Sequence, residues 1–271
     1  MSLAPLVAQL TAIETAFFAA YDTVTATLAP INTELRAVIE YPPDCVRKIL
    51  DLAEREDYHL ARLRTDLREA SLKKLVEQAG ELYGAPGVPV VIELHEVHDA
   101  VLGDDRCERD EAPLLDLAAA AAFLERTYGG NAGAAVAAAQ LRQALRRSIA
   151  SRVSAPAPKG QGGIALYAYA PVDKFAGGRR YTNYDTLFKA LTQLGDALSL
   201  LGESVNQGRI QTEAARVFRY GHTISSRARY DVGCGIAFVT MAEKVIVEMP
   251  ANVARRLTDW LAIDDPASDA A

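Results

Sequence analysis

The stretch GIAFVTMAEKVIVEMPANVARRLTDWL, residues 235–261, decides how the second half of the chain is read. Gly235–Met241 and Val245–Met249 are short apolar runs rich in β-branched residues, which predicts two strands. Ala242-Glu243-Lys244 between them predicts a tight turn. Pro250 suits the opening turn of a helix, and that helix carries Val253, Leu257, Trp260 and Leu261. Strand, turn, strand and helix in this order cannot belong to an all-helical bundle. The end of the chain is therefore α+β in character.

Working back, Thr223–Tyr230 reads as a further strand candidate, and Arg209–Tyr220 as helix turning to strand. Tyr184–Leu201 reads as a helix with Leu187, Phe188, Leu191, Leu194, Leu198 and Leu201 on one side and Thr182 or Asn183 as cap. Ile164 and Leu166 predict a strand up to Pro171, and Gly177-Gly178 marks a turn. Ahead of these lies SAPAPKGQGG, residues 154–163, the clearest linker or mobile loop in the chain.

The first half has a different period. Leu10, Phe17, Val24, Ile31 and Val38 fall seven apart, with Leu6 and Ile13 interleaved. This heptad-like stripe is the mark of a long packed helix, as in a coiled coil. Pro30 predicts a kink or short break, and Tyr41-Pro42-Pro43 ends the element. A second stripe runs through Val46, Ile49, Ala53, Leu60, Leu63, Leu67, Leu75, Ala79 and Leu82 and stops at Gly84-Ala85-Pro86-Gly87. Two long amphipathic helices joined by a Pro-Pro turn read as an antiparallel hairpin. Val88–Leu94 is a short β-like run that Pro89 demotes to an edge or extended connector. Helices are expected over Leu114–Tyr128 and, Ala-rich, over Ala132–Val153.

The expected fold class is α+β: a long antiparallel helical hairpin and Ala-rich helices N-terminally, and a small mixed antiparallel sheet with helices C-terminally. The expected division is a helical domain over 1–153, the linker over 154–163, an α+β domain over 164–263 and a disordered acidic tail over 264–271.

The chain has 271 residues and a formal net charge of -6, yet the charge is uneven. Up to Ser151 there are fifteen basic and twenty-three acidic residues; from Arg152 to Ile263 there are fourteen and nine. Between Arg142 and Arg229 the bases are interleaved with aromatics, as in Arg179-Arg180-Tyr181, Arg216-Val217-Phe218-Arg219-Tyr220 and Arg227-Ala228-Arg229-Tyr230. Cations release counterions from phosphates, and aromatic rings stack on unpaired bases. Arg179, Arg180, Tyr181, Arg216, Arg219, Tyr220, Arg227 and Arg229 are thus the candidate nucleic-acid or polyanion site. On a strand, Arg227 and Arg229 would share a face. No helix–turn–helix, zinc-finger, RNP or KH pattern is present, so backbone-led binding is expected over sequence-specific readout. The competing reading is a solvated face whose arginines pair with the acidic half. The cluster Arg142, Arg146, Arg147 and Arg152 is accounted for as cations at a helix C-terminus.

Other chemistry is sparser. His95 and His98 in Glu93-Leu94-His95-Glu96-Val97-His98-Asp99 would share a helix face and could bind zinc with Cys107 or Cys45, which gives a metal-dependent hydrolase as the alternative function. Their spacing of three differs from the His-Glu-x-x-His pattern of metalloproteases. Gly233-Cys234-Gly235, with His222 upstream, reads as a bulge or close strand approach more than a nucleophile. His59 reads as a surface residue. The glycines at 160–163 lead into a strand, the wrong order for a phosphate-binding loop.

No cofactor is called for. Three scattered cysteines, the absence of an apolar run near the membrane-spanning length, and an N-terminus without a basic n-region set the expectation of a cytoplasmic chain with no membrane partner. The leading expectation is a non-enzymatic protein that forms homo-oligomers through its N-terminal helices and contacts nucleic acid through its basic part. A purely structural or assembly role is the remaining alternative.

Overall fold

A computed structural model describes residues 2–38, 56–102, 115–151, 161–168, 172–173, 178–182, 184–203, 207–218, 223–225 and 227–263. The fold is α+β, with helices first and an antiparallel sheet with further helices after them. Among the described residues no helix is long and apolar enough to cross a membrane. The chain packs as two compact units, Met1–Tyr83 with Val91–Ala132, and Gly84–Val90 with Gly133–Ala271.

The first unit holds α1 (Ala4–Val38), α2 (Glu56–Tyr83), α3 (Leu94–Leu102) and α4 (Leu117–Tyr128). Its core is built where α2 ends, from Leu72, Leu75, Val76 and Ala79, with Val97 of α3 and Leu117, Ala120 and Leu124 of α4. The α4 helix starts at Leu117, three residues later than expected, because the Asp116 carboxylate accepts from Ala118 N at 2.8 Å and Ala119 N at 3.3 Å. That side chain satisfies amide donors that a helix start leaves without partners.

Two side-chain pairs fix the direction of α1 against α2. Arg68 Nε meets Glu14 Oε1 at 2.7 Å, and the Arg64 guanidinium lies 5.0 Å from the Phe18 ring centroid. A step of four up α1 is a step of four down α2, so the helices run antiparallel. The Pro-Pro turn falls outside the described residues. Of the kink or short break expected at Pro30, the break is absent, since α1 continues through it to Val38. Val88–Ile92 belongs to no strand and carries an isolated bridge between Ala85 and Val88, and residues from Leu94 turn into helix.

The second unit contains α5 (Ala132–Ser148, from Gly133 on), β1 (Ile149–Ser151), β2 (Gln161–Tyr167), β3 (Val172–Asp173), β4 (Gly178–Arg179), α6 (Tyr184–Leu200), α7 (Gln207–Val217), β5 (Arg229–Gly233), β6 (Ile236–Thr240), β7 (Lys244–Pro250) and α8 (Ala251–Leu261). Strand order is β1-β2-β7-β6-β5, every pairing antiparallel, while β3 and β4 form a separate two-stranded piece. The expected turn is present: Met241 N donates to Lys244 O at 3.0 Å. Strand β7 alternates between buried Val245, Val247 and Met249 and half-buried Lys244, Ile246 and Glu248. That period of two is what a sheet buried on one face requires. Leu187, Leu191, Leu194 and Leu198 of α6, Ile210 and Ala214 of α7, and Val253 and Leu257 of α8 complete the core.

Three expectations are corrected here. The Ala-rich helix ends at Ser148 and not at Val153, because Ile149 pairs with Leu166 on the sheet edge. Gln161–Gly163 belong to β2, opposite Glu248–Pro250, and are not linker; residues 154–160 lie outside the described residues. The compact units also divide ahead of α5 rather than at 153. The tail over 264–271 lies outside the described residues.

Candidate functional site

The residues expected to form a polyanion site go to different places. Arg216 Nε is 2.8 Å from Glu213 Oε2 on its own helix. Arg229 Nε is 2.9 Å from Glu248 Oε2, reaching across β6. Tyr181 is buried in the second unit; its hydroxyl donates to Met241 O at 2.9 Å and its ring meets Phe218 edge-on at 5.7 Å. Burial pushes its phenol up. A ring held this way has no face to offer a base. Arg180 is half-buried and holds a contact of its own. Arg179 pairs through its backbone with Val172. Arg219 and Tyr220 lie outside the described residues.

Arg227 does not share a strand with Arg229. It sits before β5 with φ 62, its amide donating to Thr240 O at 2.7 Å. This left-handed turn breaks the alternation that would have put both guanidinium groups on one face. Arg227 is exposed.

Several other arginines act inside the second unit. The Arg142 guanidinium stands 4.9 Å from the Trp260 ring centroid. Arg146 donates from Nε to Leu261 O at 2.8 Å and from Nη2 to Ile263 O, closing the end of α8. Arg256 pairs with Glu203 at 2.6 Å and donates to Leu201 O just past α6. Sequence reasoning assigned Arg142 and Arg146 to the dipole of their own helix; their partners lie more than a hundred residues away, and no local signal reports that.

His95 and His98 do lie on one helix, α3, with His95 exposed and His98 half-buried. The intervening Glu96 accepts from the Tyr128 hydroxyl at 2.9 Å. Among the described residues no three His, Cys, Asp or Glu side chains come together as a metal site; Cys45 and Cys107 lie outside them. Cys234 is exposed at the β5–β6 turn with φ 55, and Arg209 Nη1 is 3.8 Å from its sulfur. His222 is outside the described residues, and so is the side chain of His59.

Two features escaped the sequence reading. One is the polarity of α1. Its buried line is Leu3, Glu14 and Thr25, eleven residues apart, while Ile13, Phe17, Val24 and Ile31 are 51%, 43%, 55% and 45% exposed. Eleven residues make about three turns, and each residue turns the helix by about 100°. Ile13 precedes Glu14 and Val24 precedes Thr25, so the apolar line stands about a quarter turn from the buried one. The other feature is a cavity of about 480 Å³ in the first unit, lined by Leu82, Tyr83, Glu125, Gly129 and Gly130.

No protein-family model, no curated protein and no solved structure matches this chain.

Proposed function

We propose that this is an assembly protein whose α1 helix docks on a second copy of the chain through Ile13, Phe17, Val24 and Ile31. The carrying observation is the inverted polarity of α1: acidic Glu14 and hydroxylic Thr25 face inward while the apolar line faces solvent. Glu14 is compensated by Arg68, and Thr25 Oγ1 donates to Tyr21 O at 2.9 Å. The exposed line is not the by-product of an ordinary amphipathic helix.

Another helix is the fitting occupant. Phe17, Val24 and Ile31 are seven apart, the repeat of a coiled-coil seam. An isologous two-fold contact would set this line against itself, and the absence of charge along it removes any like-charge repulsion. With aromatic and aliphatic side chains each offering roughly 150–200 Å², the exposed fractions amount to about 350 Å² per copy. That is under half of the ~800 Å² per partner of a standard interface, so association is weak and concentration-dependent.

Sedimentation velocity across a hundredfold concentration range tests this. The expected result is a mass that doubles toward high concentration and stays single in the Phe17→Glu/Val24→Glu variant, with the thermal transition retained. A single-copy mass at every concentration overturns the reading.

The polyanion reading has less behind it. Of its candidate residues, Arg216 and Arg229 are exposed but sit in ion pairs, Tyr181 is core, and Arg227 is exposed with no ion pair among the described residues. Salt-dependent retention on single-stranded DNA that Arg227→Glu abolishes would restore it.

A further inference from the structure

Strand β5 ends the five-stranded sheet: among the described residues it pairs with β6 and with no second strand. The hydrogen bonds of its neighbours decide which of its peptide groups face the open side. In an antiparallel pair, opposed residues alternate between exchanging backbone bonds and exchanging none. Thr240 N donates to Ala228 O at 3.0 Å, so the next bond-exchanging position on β5 is Tyr230, opposite Phe238. The far side of β6 agrees. Met241 N donates to Lys244 O, so Val239 and Ala237 exchange bonds with Ile246 and Glu248 of β7, and Phe238 and Thr240 are turned toward β5. Arg229 and Asp231 therefore direct their N–H and C=O groups away from β6, out of the sheet edge. Such a row of groups is a template for another strand.

The side chains select that strand. Arg229 and Asp231 are exposed, share one face and carry opposite charges, while Tyr230 between them is half-buried and faces the other way. A strand that pairs with its own copy about a two-fold axis across the sheet keeps its faces, so the axis passes through a residue. An axis at Arg229 sets two arginines against each other and calls on Arg227, whose amide already donates to Thr240 O. An axis at Asp231 opposes two aspartates and calls on Gly233, whose amide already donates to Asp231 Oδ1 at 2.8 Å. An axis at Tyr230 sets Arg229 opposite Asp231 of the partner subunit, twice, and uses the four outward N–H and C=O pairs. Like charges directly opposite destabilise a strand pair and opposite charges stabilise it. Edges that reject a copy carry charges of one sign, typically lysines; this edge alternates.

We propose that the open edge of β5 pairs antiparallel with β5 of a second copy about Tyr230, joining the two five-stranded sheets into one. Arg229 N–H donates to the carbonyl of Asp231 of the partner subunit, Asp231 N–H donates to the carbonyl of the partner's Arg229, and the two-fold axis repeats both bonds. Glu248 holds Arg229 Nε at 2.9 Å. A guanidinium group has five donors, so its Nη atoms meet the partner's Asp231. The pairing is short, because the left-handed turn at Arg227 and the bulge between Asp231 and Gly233 close it at both ends. Exposed hydrogen bonds and ion pairs each contribute little net. The contact is therefore weaker than the apolar line of α1 offers, and a covalent trap reads it where a mass measurement does not.

The test uses two versions of the full chain. Both have Cys45, Cys107 and Cys234 changed to serine and carry Phe17→Glu/Val24→Glu, so that α1 takes no part. One adds Arg229→Cys, the other Asp231→Cys. In the mixed pair the two thiols fall at a bond-exchanging position, with Cα atoms about 5.5 Å apart, inside the disulfide range. The Arg229–Asp231 pair on the other side of the axis is kept. Each version is oxidised alone and mixed with the other at about 0.2 mM, and non-reducing electrophoresis with one chain tagged reports the products. The expected result is a mixed disulfide that forms at least tenfold faster than either version links to itself. Both positions are exposed, so the fold is kept, and circular dichroism checks it. Comparable rates in the three reactions, or no mixed disulfide, would overturn the proposal. With α1 disabled in both versions, neither outcome depends on whether α1 self-associates.

Discussion

Replacing Gly162 by alanine is expected to push α8 off the sheet. Gly162 lies on β2 opposite Met249, and a Cβ built there stands 2.5 Å from the Ala254 Cβ. Non-bonded carbons sit comfortably about 3.5–4.0 Å apart, so the two methyl groups would have to separate by roughly 1 Å. Neither can rotate away, because each is bonded directly to backbone. Ala254 shares the buried side of α8 with Val253 and Leu257, and Leu257 is fully buried. Overpacking of this kind costs about 1–3 kcal/mol. Restricting the unfolded chain offsets about 0.4–1 kcal/mol of that. The net loss is about 1–2 kcal/mol, worth roughly 2–8 °C in Tm for a unit of this size. Trp260 is the chain's single tryptophan and sits on α8, so urea unfolding followed by its fluorescence reports the displaced helix directly. The partner change Ala254→Gly costs about 1 kcal/mol in helix propensity alone but removes the opposing methyl. Combined with Gly162→Ala it should recover much of the loss, with a coupling of about 1–2 kcal/mol between neighbouring sites. A Gly162→Ala variant as stable as the parent, or two changes that simply add, refutes the close approach of α8 to β2.

Two further predictions concern tyrosines of the first unit. Tyr83→Phe removes a buried hydroxyl without a partner among the described residues, so its stability should match the parent or exceed it by up to about 1 kcal/mol; a loss larger than about 1 kcal/mol in urea titration would show that the hydroxyl is bonded in solution. Burial first, then the hydrogen bond to Glu96 and its charge, push the Tyr128 phenol from 10.0 up to about 12. The unfolded chain therefore gives up this proton first: the contribution of Tyr128 is complete below pH 10 and is lost as pH rises toward 12. Tyr128→Phe should flatten the stability curve between pH 10 and 12, and an unchanged slope would contradict the hydrogen bond.

The helical and strand elements were legible wherever a local period decided them. The alternation of Val245, Val247 and Met249 and the stripe Leu187, Leu191, Leu194 and Leu198 each announce one element and its buried side. What local pattern cannot report is which neighbour arrives. The Ala-rich helix stops at Ser148 because Leu166, seventeen residues on from Ile149, offers a strand partner. On α1 the spacing identified an apolar line but could not say whether the hairpin partner or a second copy would cover it. The side that is buried is set by Arg68, fifty-four residues away, which makes an inward Glu14 tolerable. Tyr181 misled for a related reason. Among arginines it reads as a stacking residue, whereas the Met241 carbonyl and the Phe218 ring hold it in the core.

Several arginines of the second unit have a structural account that a formal charge count hides. A helix leaves its last carbonyls without intrahelical partners and carries about half a negative charge at that end. Neither quantity enters a tally of Asp and Glu. In the second unit Arg146 supplies donors to Leu261 and Ile263 at the end of α8, and Arg256 supplies one to Leu201 past the end of α6. Arg142 is spent on the Trp260 ring. A guanidinium group that closes a helix adds to the formal positive balance of its unit without being placed for an outside partner. Basic residues interleaved with aromatics in sequence therefore mark a polyanion site only where the arginines lie beyond reach of helix ends and of aromatic rings in their own unit. Arg227, exposed on a left-handed turn, meets that condition; Arg142, Arg146 and Arg256 do not.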